Sequence, residues 1–203
     1  KAEVALSLFK AATEANPNIE QYWISYTNTL IHLKQFEEAE VNYKKAIKFR
    51  PNFIIILSNL GSMFKDLSRL DEAEATYKKV IELKTDNAEI YYNLSIVLEA
   101  LEKLDEAEVS YKKAIKLKPD LVNAHYNLSV ILQKVKKLNE AEASYKKTIE
   151  LKPDHVDALN NLGALLLDLN KLAESKTILK KSILANPNYS KNHMSSKSLR
   201  TTN

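Results

Sequence analysis

Apolar residues in this chain fall at spacings of three and four within short runs, and the runs themselves recur at one fixed interval. Between Ala88 and Leu121 one run is Tyr91, Leu94, Leu98 and Leu101, and a second is Ala107, Tyr111, Ala114 and Ile115. Such spacings place side chains on one face of an α-helix, so each run predicts an amphipathic helix. A shift by one interval carries Leu94 onto Leu60 or Leu128, Ala107 onto Ala73 or Ala141, and Tyr111 onto Tyr77 or Tyr145. Pro17, Pro51, Pro119, Pro153 and Pro187 keep the same period, with Thr85 at the one node that lacks proline. A fixed period of this length dictates an array of two-helix units, none of which can bury its stripes alone.

The period sets the boundaries. Residues 1–19 read as the second helix of a truncated repeat, because Phe9 and Ala12 share the register of Tyr43 and Ala46. Complete repeats follow at 20–53, 54–87, 88–121, 122–155 and 156–189, and 190–203 form a polar C-terminal tail. Lys1 falls inside a repeat with no initiator methionine or signal-peptide pattern before it, so the sequence is expected to belong to a longer protein. Asp105 with Glu108 predicts a capping box at the start of a second helix, and Asp71 with Glu74 and Asn139 with Glu142 repeat it. Ala173 and Lys176 break it in the last repeat. Lys34, Ser68, Glu102, Lys136 and Asn170 stand at the turns between helices. Only the Asn enters the left-handed region easily, so the other turns are expected to bend differently or to cost stability.

Several of these positions together resemble the tetratricopeptide repeat (TPR) pattern. They are Trp23, Leu57, Tyr91, His125 and Leu159, the pairs Leu60-Gly61 and Leu162-Gly163, the alanines, the tyrosines and the periodic prolines. The resemblance covers about nine tenths of the chain. It implies an all-α fold, a right-handed α-solenoid of antiparallel helix pairs forming a TPR superhelix. Thr27, Ser95 and Ser129 stand where the pattern has glycine after the leucine, which is expected to widen the packing there.

The resemblance also implies a concave face lined by the first helices. Its candidate peptide-binding residues are Asn28, Asn59, Tyr92, Asn93, Tyr126, Asn127, Asn160 and Asn161. Asn59, Asn93, Asn127 and Asn161 supply one amide per repeat and resemble the asparagine ladder in the TPR superhelix of O-linked N-acetylglucosamine transferase. An amide carries donors and an acceptor, so it can pair with a peptide backbone of any sequence. The alternative is that these asparagines are inherited consensus residues. A carboxylate clamp of the co-chaperone kind is not matched: Asn28 and Asn59 fit, but Ile24, Glu89 and Asn93 stand where it needs basic residues, and Glu89 has the wrong sign.

Composition narrows the chemistry. The chain is 45% hydrophobic and 28% charged with a net charge of +4, and no apolar run is long enough for a membrane helix. It has no cysteine and two glycines, which leaves no thiolate metal site and no glycine-rich phosphate loop. Its carboxylates recur at helix starts in every repeat, and its four histidines never take a ligand spacing. His125 reads as a packing residue, since it occupies the position of Trp23 and Tyr91. No catalytic, cofactor-binding or metal residues are therefore expected, and the array is not read as an enzyme.

The implied groove carries Lys65 and Lys134 against Asp66, Glu89, Glu99, Asp157 and Asp168, which favours a neutral or basic partner over an acidic one. Lysine pairs from Lys44-Lys45 to Lys180-Lys181 make a basic stripe on the second helices. Without interleaved aromatics it reads as a solvated face, which argues against nucleic acid. The expected function is a protein–protein interaction scaffold holding an extended or helical segment. Two alternatives stand beside it: the substrate-recruiting arm of a larger glycosyl-, sulfo- or methyltransferase, and an RNA or acidic-surface binder using the lysine stripe. The Asn-x-Ser sequons at Asn93 and Asn127 fall inside helices, which favours a cytoplasmic location. Apolar flanks at the two ragged ends predict end-to-end self-association.

Overall fold

The computed structural model describes residues 2–83 and 86–185 of the 203-residue chain. The C-terminal tail at 190–203 lies outside them. The described residues form eleven α-helices and no strand, an all-α fold of helix pairs of the α-solenoid class. Each complete repeat supplies two. The first helices are α2 (Glu20–His32), α4 (Ile54–Asp66), α6 (Ala88–Ala100), α8 (Val122–Lys134) and α10 (Val156–Asp168). The second helices are α3 (Phe36–Phe49), α5 (Leu70–Glu82), α7 (Leu104–Leu117), α9 (Leu138–Leu151) and α11 (Leu172–Ala185), with α1 (Ala2–Ala15) a lone second helix before them. None of these helices is long and apolar enough to cross a membrane.

The helices gather into two compact units, one ending at Lys103 and the other beginning at Leu104. The first unit holds α1 to α6 and the second α7 to α11. In each, a helix packs on its sequence neighbours. Fully buried alanines (Ala39, Ala73, Ala107, Ala141) let the paired helices approach, and fully buried tyrosines (Tyr43, Tyr77, Tyr111, Tyr145) fill the space between helices. The Tyr77 ring lies close against Gly61: a Cβ there would sit 3.0 Å from the ring, so the ring would have to shift slightly to admit one. Gly163 faces the Leu179 side chain more tightly still. Thr27, Ser95 and Ser129 are also fully buried. Their hydroxyls donate to carbonyls of their own helices, on Trp23 (2.7 Å), Tyr91 (2.5 Å) and Tyr126 (2.6 Å), and two of them also bond across to the paired helix: Thr27 Oγ1 accepts from Asn42 Nδ2 on α3 at 2.6 Å, and Ser129 bonds Tyr145 on α9.

All five turns close in the same way. Lys34, Ser68, Glu102, Lys136 and Asn170 take φ values of 59°, 59°, 59°, 64° and 57°. In the first turn Lys34 N–H bonds Ile31 C=O at 2.9 Å and Gln35 N–H bonds Leu30 C=O at 2.9 Å, and the other four repeat this two-bond pattern. It is the Schellman motif, which satisfies the last carbonyls of a helix only if one residue is left-handed. The turns therefore do not bend differently; their residues carry the strain. Replacing Lys34, Ser68, Glu102 and Lys136 by Gly is expected to stabilise the protein by about 0.5–1 kcal/mol each. Chemical denaturation of the fourfold variant checks this, with the already tolerant Asn170→Gly as the control of small effect.

The same turns overturn the capping boxes. The residue after the left-handed one becomes the N-cap, so α5 and α9 start on Arg69 and Lys137 with no side-chain cap bond. Asp71 and Asn139 thus lie inside the first turn, and Glu74, Glu108 and Glu142 are buried rather than reaching back. Side-chain caps occur instead at first helices: Asn87 accepts from Glu89 N–H at 2.9 Å and His155 Nδ1 from Ala158 N–H at 3.3 Å.

Candidate functional site

The predicted groove residues lie on the first helices, and the buried tyrosines hold several of them. In the first unit, the Asn59 side chain hydrogen-bonds the Tyr43 hydroxyl, whose pKa burial pushes up to about 12 while that bond pulls it back. In the second unit Asn127 Nδ2 donates to the Tyr111 hydroxyl at 3.2 Å. Asn161 bonds both Tyr145 and, through Nδ2, the Tyr126 hydroxyl at 3.3 Å. Asn59 with Tyr43 and Asn161 with Tyr145 keep the same sequence register as Asn127 with Tyr111, one amide meeting the tyrosine of the preceding second helix each time. One such bond fixes an amide's rotamer and leaves it further donor and acceptor capacity.

The first unit brings two predicted residues together in one cavity. Asn28, exposed on α2, and Asn59, half-buried on α4, line a space of about 250 Å³ with Ile31, Phe36, Ser62, Met63 and Asp66. Ser62 and the Tyr77 hydroxyl are hydrogen-bonded at 2.9 Å. Tyr92 and Asn93 are half-buried on α6 in the same unit.

In the second unit, Tyr126 is packed into an aromatic cluster, 4.8 Å from the His155 ring at 30° and 6.3 Å from Tyr145 at 58°. Tyr145 donates to Gln133 Oε1 at 3.0 Å. Asn160 faces α11, where its Oδ1 accepts from Ser182 Oγ at 2.6 Å. His155 joins this cluster without a signal in the repeat pattern, because its contact with Tyr126 runs across neighbouring helices and no period along the chain displays it. His125 is buried, as its register with Trp23 implied. Both rings bond a carbonyl upstream, Trp23 on Pro17 at 2.8 Å and His125 on Pro119 at 2.9 Å.

The lysine stripe is half committed elsewhere. Lys44, Lys78, Lys112 and Lys146 each pair with a glutamate one turn back, on Glu40, Glu74, Glu108 and Glu142, at 2.6–2.7 Å. Those carboxylates are only 8–15% exposed, and each takes a second cation from the next hairpin, at Arg69, Lys103, Lys137 and Lys171 respectively. The second cation is the residue that follows the left-handed turn position, so the turn aims it. The Arg69 hydrogen bond holds Glu40 down at about 2. Burial pushes Glu74 and Glu108 upward, but their two lysines outweigh it and keep both below the usual carboxylate range. Lys146 and Lys171 do the same for Glu142.

Tetratricopeptide-repeat profiles match residues 21–53, 52–120 and 132–194. The chain is built of tetratricopeptide repeats. Its fold agrees with those of several crystal structures. MamA is 25% identical with a TM-score of 0.77, the match covering 81% of this chain and 96% of MamA. YrrB, a TPR protein with an unusual peptide-binding site, is 23% identical with a TM-score of 0.78, covering 93% of this chain and 97% of YrrB. BtubC from P. vanneervenii is 15% identical with a TM-score of 0.74, covering 92% of this TPR chain and 88% of BtubC. No curated protein sequence matches the TPR chain significantly.

Proposed function

We propose that this TPR chain is a protein–protein interaction scaffold whose first helices hold a peptide segment of a partner. The observation that carries the reading is the cavity in the first unit, where Asn28 and Asn59 meet over the apolar side chains of Ile31, Phe36 and Met63. An amide already oriented by a buried hydroxyl loses little freedom when it pairs with a peptide N–H or C=O, and the apolar floor accepts one side chain of that peptide. Asp66 at the rim, with Glu89 and Glu99 on α6, favours a neutral or basic segment. Tyr92 and Asn93 in the first unit and Tyr126, Asn127, Asn160 and Asn161 in the second offer the same donor and acceptor chemistry.

The test is to select binders from a random peptide library on the intact chain and titrate the best of them against variants. Asn28→Ala and Asn59→Ala are each expected to weaken binding by about 2- to 12-fold, the equivalent of one net hydrogen bond. Asn28→Ala should leave the melting temperature unchanged, because Asn28 is exposed, whereas Asn59→Ala should lower it slightly through Tyr43. Unchanged affinity in both variants would sink the reading.

A further inference from the structure

The second-helix face of the first unit carries an opening at a place where the second unit has ion pairs between its helices, and the difference traces to one residue. In the second unit Lys112 reaches past its own Glu108 to Glu140 at 3.2 Å, tying α7 to α9, and Lys146 likewise reaches Glu174 at 3.3 Å, tying α9 to α11. The corresponding pair between α3 and α5 is Lys44 with Glu72, and it does not form. Where the three later repeats have Lys103, Lys137 and Lys171, this one has Arg69. Its guanidinium takes both Glu40 and Glu72, bonding Glu72 through Nε at 2.6 Å and through Nη2. It also lies over the Phe64 ring, 4.4 Å from its centroid. A lysine, with a single nitrogen, cannot grip one carboxylate through two nitrogens while bonding a second, as this fork does.

With Glu72 drawn away, α3 and α5 leave a shallow cleft of about 360 Å³. Ile47, Leu57, Leu60 and Phe64 form its floor, and Lys44, Lys79 and the Arg69-bound Glu72 stand at its edges. We propose that this cleft is a second docking site, taking an apolar side chain of an acidic peptide segment. The charge at its rim argues for that occupant. Arg69 and Lys44 together balance Glu40 and Glu72, and Lys79 has no ion-pair partner among the described residues. The remaining charge is positive beside an apolar floor, so a carboxylate next to a leucine or phenylalanine complements it. The volume is in the range of ligand clefts, roughly 300–1,000 Å³, but a shallow cleft cannot enclose a small molecule, whereas a peptide laid across it needs to seat only one side chain. The preference is opposite in sign to that of the first-helix cavity, so the two sites would select different partners.

The experiment uses the intact chain and two fluorescein-labelled peptides, one with a Leu-Phe pair flanked by glutamates and one with the same pair flanked by lysines, read by fluorescence anisotropy. The acidic peptide is expected to bind saturably and more tightly than the basic one. Lys79→Glu should weaken it by about fivefold or more. Arg69→Lys, which installs the residue of the three later repeats and frees Glu72 for Lys44, should weaken it comparably. Asn28→Ala and Asn59→Ala should leave it unchanged, which separates this site from the first-helix cavity. Absence of saturable binding by the acidic peptide, equal binding of the basic one, or indifference to both Lys79→Glu and Arg69→Lys overturns the proposal. So does Lys79-dependent binding to phosphatidylglycerol vesicles without peptide binding, which would assign the patch to a lipid surface.

Discussion

Tyr111→Ala is expected to lower the unfolding free energy by about 3–5 kcal/mol, the range for removing a large aromatic side chain from a packed interior. Tyr111 is fully buried on α7, so its removal leaves a cavity that the surrounding helices fill only partly. It also deprives Asn127 Nδ2 of its hydroxyl acceptor. Tyr111→Phe separates the two effects: the ring stays, and only about 1 kcal/mol for the hydrogen bond should be lost. Val109, just before it on the same helix, is 69% exposed. Val109→Ala should therefore change stability by no more than about 0.5 kcal/mol. Equilibrium denaturation of the three variants checks the order. A Tyr111→Ala variant as stable as Val109→Ala would mean that the buried tyrosines are not what hold the stacked pairs.

Replacing Glu40, Glu74, Glu108 and Glu142 together by Gln should cost about 4 kcal/mol at neutral pH, about 1 kcal/mol each for an interaction whose cations are themselves half-exposed. The four carboxylates share no cation, so their losses should add. The same ion pairs set the acid response. Each glutamate has its folded pKa lowered below the unfolded value, so its contribution is complete above the unfolded value near 4.5 and disappears as pH falls through the folded one. For Glu40 that window runs from about 4.5 down to about 2. Wild-type stability is thus expected to fall across this acid range, and the fourfold Gln variant should be less stable at neutral pH with a flatter acid slope. Parallel slopes in the two proteins would remove these carboxylates as the cause.

The helix pairs are legible because the repeat period is written in apolar residues, and burial reads apolar residues directly. The caps mislead for a local reason. Asp71 with Glu74 has the spacing of a capping box, but the left-handed residue at Ser68 hands the N-cap to Arg69 and shifts the acidic pair into the helix. The register that joins Glu108 to Lys137, and the one that joins Asn127 to Tyr111, are both present in the sequence, yet neither is a helical period. They appear only when one helix folds back on the next. For the same reason Asn28 and Asn59 could be proposed as groove residues, while the tyrosine hydroxyl that orients Asn59 could not. The second-helix cleft depends on a single Arg-for-Lys difference at position 69, which composition and periodicity treat as no difference at all.

The carboxylate that joins a second helix to the turn of the following hairpin has a mechanical consequence. It is a rivet between consecutive hairpins of a unit, so at neutral pH a hairpin can peel away only by breaking charge-assisted bonds as well as apolar contacts. In acid, as these glutamates take up protons, the rivet loosens while the buried tyrosines stay in place. Hairpins that opened together would then fray one after another, and each unit would pass from a stiff stack to a jointed one without losing its helices.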